Sequence, residues 1–217
     1  MTVNYKFKTV PYDHQRTSLD AAGDKPSFGF FMEMGTGKSK VLIDNLGQLF
    51  LEGVYRNWVA KEIPQHMSDS VPHRIIRWVS SPNKKQQEEI QSVKLPFAGL
   101  TIFVMNVEAF STTKGQTAGK WMAKTLGRHG MIAIDESTTI KNSKAKRTKA
   151  LIKIAEGFRY KRLLTGSPIT KSPMDIYAQS EFLGPGLLGY DSFYAFQGRY
   201  AVLQRRTMGS HAFQQVL

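Results

Sequence analysis

Cysteine is absent from this chain of 217 residues, which excludes disulfides and thiolate metal centres. The five histidines are scattered and never fall at H-x-x-x-H spacing, so a zinc site is not expected either. No apolar run approaches the roughly 18 residues of a membrane span. The opening Met1-Thr2-Val3-Asn4-Tyr5-Lys6-Phe7-Lys8 carries no signal-peptide pattern. A cytoplasmic protein with no membrane partner is therefore expected. Acidic residues are scarce too: 17 Asp and Glu stand against 30 Lys and Arg, a net charge of +13. That balance suits an acidic partner, nucleic acid being the commonest, or else a merely basic, solvated surface. No Pro/Gly/Ser-rich linker divides the chain, and 41% hydrophobic residues can bury one substantial core, so residues 1–217 read as one domain.

The stretch from Phe28 to Ile43, F-G-F-F-M-E-M-G-T-G-K-S-K-V-L-I, is the most informative. A short apolar strand runs into a glycine turn that opens a helix. The pattern Gly35-Thr36-Gly37-Lys38-Ser39 is that of a phosphate-binding loop. Backbone N–H groups close around a polyphosphate, and glycines allow the approach because they carry no Cβ. In such a loop Lys38 reaches the β- and γ-phosphates and the Ser39 hydroxyl holds Mg²⁺. Only the second half of the usual eight-residue pattern is present, because Met32 stands where it begins with glycine. A glycine turn before a helix also serves as a plain connector.

A second apolar run, Met131-Ile132-Ala133-Ile134, is bounded by Gly130 and Asp135 and reads as a buried parallel strand. Asp135-Glu136 then lie at the carboxyl edge of the sheet, the ligand side of an open α/β fold. There Asp135 would hold the Mg²⁺ shell and Glu136 would polarise an attacking water. An acidic pair before a helix is also ordinary N-terminal chemistry. Together the two stretches, about a hundred residues apart, match the two halves of a phosphoryl-transfer site.

The rest of the chain supplies the frame. Pro11-Tyr12-Asp13-His14-Gln15 precedes an amphipathic stretch from Arg16 to Ala22. The Gln15 amide carries both donor and acceptor, as reading an adenine edge requires; a solvated glutamine at a helix start accounts for it equally well. Val41, Leu42, Ile43, Leu46, Leu49 and Phe50 have helical spacing up to Gly53. Further helices are expected over 54–63, 83–93 and 117–129, and strands over 74–79 and 100–107. Between Lys141 and Arg162 nine residues are Lys or Arg and only Glu156 is acidic. This block either follows a phosphate backbone or forms a solvated helix face. Leu163-Leu164-Thr165-Gly166-Ser167-Pro168 reads as a short strand ending in small polar residues able to sense a γ-phosphate.

Taken in order, P-Y-D-H-Q, M-G-T-G-K-S, V-Y-R-N-W-V-A-K-E, D-E-S-T-T-I-K-N-S and L-L-T-G-S-P-I-T resemble the first RecA-like motor domain of superfamily 2 helicases. Within these the chain is most similar to the Swi/Snf-type double-stranded DNA translocases, in a compact form like that of phage or bacterial members. The resemblance implies an α/β, three-layer RecA-like domain with a mostly parallel central sheet, a P-loop NTPase. It implies that Gln15 reads adenine, that Gly35, Thr36, Gly37, Lys38 and Ser39 bind ATP, and that Ser39 and Asp135 hold Mg²⁺. Lys38, Asp135 and Glu136 would be catalytic, Thr165 and Ser167 would couple nucleotide state to DNA, and Asn106, Lys141 and Asn142 would lie near the nucleic-acid track.

The sequence departs from this pattern in three places. Met32 replaces the loop's first glycine, Ser137-Thr138 stand where the family often has Ala-His, and the strand expected before Val54 is missing, since Leu51-Glu52-Gly53 leads directly into it. A second RecA-like domain, whose arginines complete the site in such motors, is not expected within this chain. Only Arg199, Arg205 and Arg206 follow the last motif. The expectation is the ATP-binding half of a DNA-dependent ATPase, in the cytoplasm of a bacterial host if of phage origin, weakly active alone. A non-motor nucleotide-binding regulator and a small-molecule kinase are the rival readings.

Overall fold

The computed structural model describes residues 5–49, 65–208 and 211–216. The expected helix over 54–63, Gly53 and the missing strand lie outside these residues. The elements run α1 (Asp13–Ala22), β1 (Ser27–Phe31), α2 (Lys38–Gln48), β2 (His73–Arg77), α3 (Lys84–Gln91), β3 (Leu100–Val104) and α4 (Thr113–Leu126). They continue with β4 (Met131–Asp135), α5 (Lys146–Ala155), β5 (Tyr160–Thr165), α6 (Asp175–Leu183), α7 (Phe193–Tyr200), β6 (Leu203–Met208) and β7 (His211–Val216).

Among the described residues β1, β5 and β4 form one parallel sheet in that order, and β2 pairs parallel with β3. Strands distant in sequence become neighbours because each parallel step needs a crossover, and helices supply it. Alternation along the strands builds two cores. Ile102, Val104, Met131, Ala133 and Leu164 face Leu19, Val41, Leu42, Ile43 and Leu46 of α1 and α2. Phe103, Met105, Ile132, Ile134 and Leu163 face Met122, Leu151, Ile154 and Phe182 of α4, α5 and α6. With each such side chain contributing about 1.5–3 kcal/mol on burial, the sheet is held from both sides, and the fold is the three-layer α/β arrangement expected. Phe103, Met105, Ile132 and Ile134 also line a small apolar cavity of about 30 Å³, closed by Met122 of α4 and Leu151 and Ile154 of α5.

Several boundaries differ from expectation for local reasons. Helix α4 begins at Thr113 rather than Thr117, because the Thr112 hydroxyl accepts the Gly115 N–H at 3.1 Å and caps it. The basic stretch 141–162 is not one face. Arg162 is fully buried, Lys141 and Arg147 are half-buried and bonded to acidic groups, and Lys144, Lys146, Lys149, Lys153 and Arg159 are exposed. The antiparallel pair β6–β7 was not foreseen, although the Gly209-Ser210 dipeptide between two short runs is a hairpin signal.

Arg162 explains how the helix after the glycine turn is fixed. It projects from β5 into the first core, where Nε donates to Asn45 Oδ1 of α2 at 2.9 Å and Nη1 to the Pro26 and Lys161 carbonyls. Burial lowers the guanidinium pKa to about 10, so it keeps its charge at neutral pH. Asn45 Nδ2 donates onward to the Gly23 carbonyl at 3.1 Å, which ties α1, α2 and β5 together.

Candidate active site

Three loops leave the carboxyl edge of the β1–β5–β4 sheet side by side. Phe31 pairs with Thr165 and Leu164 with Asp135. The glycine turn, Thr165-Gly166-Ser167-Pro168 and the acidic pair therefore start at one level, and β1 and β4 lie about 10 Å apart, two strand spacings. The Met32 N–H donates to the Thr165 carbonyl at 3.2 Å, and a Cβ on Gly166 would lie 3.4 Å from Met34 Cγ. The first two loops thus touch.

The glycine turn has the backbone its sequence requires. Gly35 (φ 78°) and Gly37 (φ 80°) both adopt the left-handed region, which L side chains avoid. Gly37 begins α2, whose first turn carries no acidic residue, so the positive helix end and Lys38 face the turn together. The Glu33 carbonyl collects the Thr36 N–H (3.4 Å), the Thr36 hydroxyl (2.7 Å) and Lys38 Nζ (3.1 Å). Gln15 Nε2 donates to the Thr36 carbonyl at 2.9 Å while its Oε1 accepts the Tyr12 N–H at 3.0 Å; His14 Nε2 lies 3.1 Å from the same Thr36 carbonyl. A Cβ on Gly37 would come within 2.5 Å of Gln15 Nε2. This cradle, open at Gly35 and too close at Gly37 for any side chain, fits a phosphate chain.

Opposite it, Glu136 is the one non-glycine residue with positive φ (51°) among the described residues, a conformation costing about 1–2 kcal/mol. Its N–H donates to Asp135 Oδ1 at 3.0 Å. Backbone strain of this kind beside an acidic pair is a pattern found at functional sites. The short 3₁₀ turn Ser137–Ile140 follows, with Ser137 and Ile140 fully buried.

The remaining candidates lie around this edge. Thr165 is buried and its hydroxyl accepts the Ser167 N–H at 3.2 Å. Lys141 Nζ donates to Thr170 Oγ1 and lies 3.5 Å from the Asp175 carboxylate. Burial pushes the Asp175 pKa up, but hydrogen bonds from the Thr170 side chain and the Lys171 and Thr170 N–H groups, with Lys141 nearby, outweigh it and hold the value to about 2. Asn142 Oδ1 accepts the Lys144 N–H at 2.9 Å, and Asn106 Oδ1 accepts the Glu108 N–H at 3.0 Å just beyond β3. Arg147 bonds both the Glu108 carboxylate (2.7 Å) and the Thr139 carbonyl (3.0 Å), linking that strand end to the turn after the acidic pair. The structure thus gathers Gln15, Gly35, Thr36, Gly37, Lys38, Ser39, Asp135, Glu136, Thr165 and Ser167 along one edge. Asn106 stands beside the other sheet, and Lys141 and Asn142 follow the acidic pair. Sequence reasoning counted Arg147 only as part of the basic block and missed Asp175; the Arg147–Glu108 and Lys141–Asp175 pairs join residues 39 and 34 positions apart. Among the described residues no cluster of His, Cys, Asp or Glu could hold a metal unaided, and no helix is long and apolar enough to cross a membrane.

Comparison with known proteins shows the family and the fold. The chain is 30% identical over 200 residues to "Putative protein p41" of Acyrthosiphon pisum secondary endosymbiont phage 1, covering 88% of this chain and 43% of that protein. A shorter stretch of 68 residues, 31% of this chain and 3% of the relative, is 38% identical to the TATA-binding protein-associated factor MOT1 of Saccharomyces cerevisiae. In three dimensions it is similar to the Sulfolobus solfataricus SWI2/SNF2 ATPase core solved in complex with double-stranded DNA, with a TM-score of 0.63 at 19% identity. That match covers 91% of this chain and 40% of the other, so the chain spans less than half of both longer relatives. Residues 53–217 match the SNF2-related domain, and the chain belongs to that family.

Proposed function

We propose that residues 1–217 are the first, ATP-binding motor domain of a DNA-dependent ATPase of the helicase or translocase type, acting on double-stranded DNA. The observation that carries this reading is the convergence of the glycine turn, the acidic pair and the T-G-S-P turn on adjacent parallel strands β1, β5 and β4. In this reading the N–H groups of the turn and the N-terminus of α2 bind the triphosphate, and Lys38 exchanges the Glu33 carbonyl for a phosphate oxygen. Gln15 uses one N–H and one lone pair on Thr36 and Tyr12; an amide has a second of each, and those read the adenine edge.

Ser39 and Asp135 would hold Mg²⁺, which when bound neutralises phosphate charge and orders the leaving group. Glu136, held in its left-handed turn, orients a water molecule and accepts its proton on a carboxylate oxygen. Thr165 and Ser167 relay the outcome to the DNA side, where Asn106, Lys141 and Asn142 stand. Phosphate contacts carry no base information, so sequence-independent tracking is expected. A second RecA-like domain would contribute the arginines that complete the site, and the cytoplasm of a bacterial host would be the place of action. The test is the ATPase rate with and without double-stranded DNA, on this chain and on the longest natural form of the gene product. Strong stimulation in the longer form alone is the expected result; Mg·ATP binding with no stimulation in either would overturn the motor reading in favour of a nucleotide-binding regulator.

A further inference from the structure

Helix α6 holds both loops that flank the middle of the proposed site, and it does so through one buried amide. Gln179 is fully buried. Its Oε1 accepts the Ser137 hydroxyl at 2.6 Å, and its Nε2 donates to the Pro168 carbonyl and to the Asp175 carbonyl, both at 2.7 Å. Ser137 follows Glu136 directly, and Pro168 follows Ser167 directly. One turn earlier on the same helix face, Asp175 accepts the Thr170 N–H and hydroxyl and the Lys171 N–H, and pairs with Lys141 from the segment after the acidic pair. Residues four apart share a helix face, so α6 presents two successive cross-links between the same two loops. Within the T-G-S-P turn the Thr165 hydroxyl accepts the Ser167 N–H, and the Thr165 carbonyl accepts the Met32 N–H just beyond β1.

We infer that Gln179 is a positioning residue that makes the Asp135-Glu136 turn and the T-G-S-P turn move as one unit, transmitting DNA engagement to the carboxylates without touching the nucleotide. The inference rests on the proposed roles of those two loops. A buried amide with both N–H groups donated and its oxygen accepting transmits displacement because any shift of Ser137 either breaks a bond in a low-dielectric interior or carries Pro168 with it. An apolar residue of the same length would fill the space without this link.

The test uses Gln179→Met and Ser137→Ala, singly and together, in the longest natural form of the protein, with Glu136→Gln as a control. The ATP KM and the ratio of DNA-stimulated to basal turnover are measured. Expected is an ATP KM within about twofold of wild type in both single variants, with the stimulation ratio falling at least about fivefold. Because the two side chains act through one bond, the double variant falls no further than the worse single one. Unchanged stimulation in folded Gln179→Met, or additive losses in the double variant, overturns the inference. If Gln179→Met does not fold, Ser137→Ala alone decides: a normal stimulation ratio sinks the link. Glu136→Gln separates the two readings. If it retains turnover, the assignment of the acidic pair fails; if it loses turnover while Gln179→Met keeps its stimulation, only the coupling role fails.

Discussion

Substituting Gly37 with alanine tests the geometry of the proposed phosphate cradle through stability alone. Gly37 sits at φ 80°, and a Cβ there would come 2.5 Å from Gln15 Nε2. The left-handed backbone costs an L residue about 1–2 kcal/mol. Moving the Gln15 amide, on a residue only 3% exposed, breaks its bond to Thr36 and leaves a buried polar group unpaired, about 1–3 kcal/mol more. The total is about 2–5 kcal/mol, or a Tm lower by about 4–20 °C for a domain of this size. Gly35 supplies the control, because it has nearly the same φ (78°) and nothing within 4 Å of its added Cβ. Gly35→Ala therefore pays only the backbone cost, and the unfolded-state entropy change is common to both. Urea unfolding monitored by circular dichroism should place Gly37→Ala at least about 1 kcal/mol below Gly35→Ala. In a Gln15→Ala background that excess should shrink. Equal stability of the two glycine variants, or an excess that survives removal of Gln15, would refute the assigned contact.

Three further outcomes follow from the same geometry. Lys38→Ala removes an ammonium that, among the described residues, donates to the Glu33 carbonyl in the turn, so calorimetric ATP binding should weaken at least about tenfold while unfolding free energy changes by less than about 0.5 kcal/mol. The folded pKa of Asp175, about 2, lies below its ordinary value of 3.8. It therefore contributes stability present above pH 3.8 and lost as the pH falls towards 2. Allowing for solvent screening this is about 1 kcal/mol, and Asp175→Asn should flatten the acid limb of a stability–pH profile in that window. Arg162→Met should cost about 2–4 kcal/mol, because Asn45 Oδ1 and the Lys161 carbonyl each lose a guanidinium donor while the Pro26 carbonyl keeps only the Lys161 N–H. Adding Asn45→Leu should then cost less than it does in wild type, a coupling readable in a double-mutant cycle.

Much of the site was legible before any coordinates. Glycines at 35 and 37 demand a turn no other residue makes cheaply, and the apolar runs at 28–31 and 131–134 have the length and bounding residues of buried strands; the strand expected over 100–107 ends at Val104. The expected start of α4 at Thr117 was four residues late: the Thr112 cap starts the helix at Thr113, ahead of the glycines at 115 and 119 and despite their low helix propensity. Those glycines are accommodated because a Cβ would strike Ala109 at one and Phe110 at the other. The basic stretch was misleading for a related reason: charge is counted along the chain, whereas burial depends on which strand or helix each residue joins.

By itself the sequence determined the class of fold, the glycine turn and the place of the acidic pair at a strand end, because each depends on backbone freedom or periodicity within a few consecutive residues. Only the tertiary structure decided what surrounds them. It put Arg162 into the core against Asn45, 117 positions away, and Gln179 against Ser137, 42 positions away. A polar side chain's role is set by the desolvated partner it meets, and that partner exists only once the strands have paired in the order β1–β5–β4.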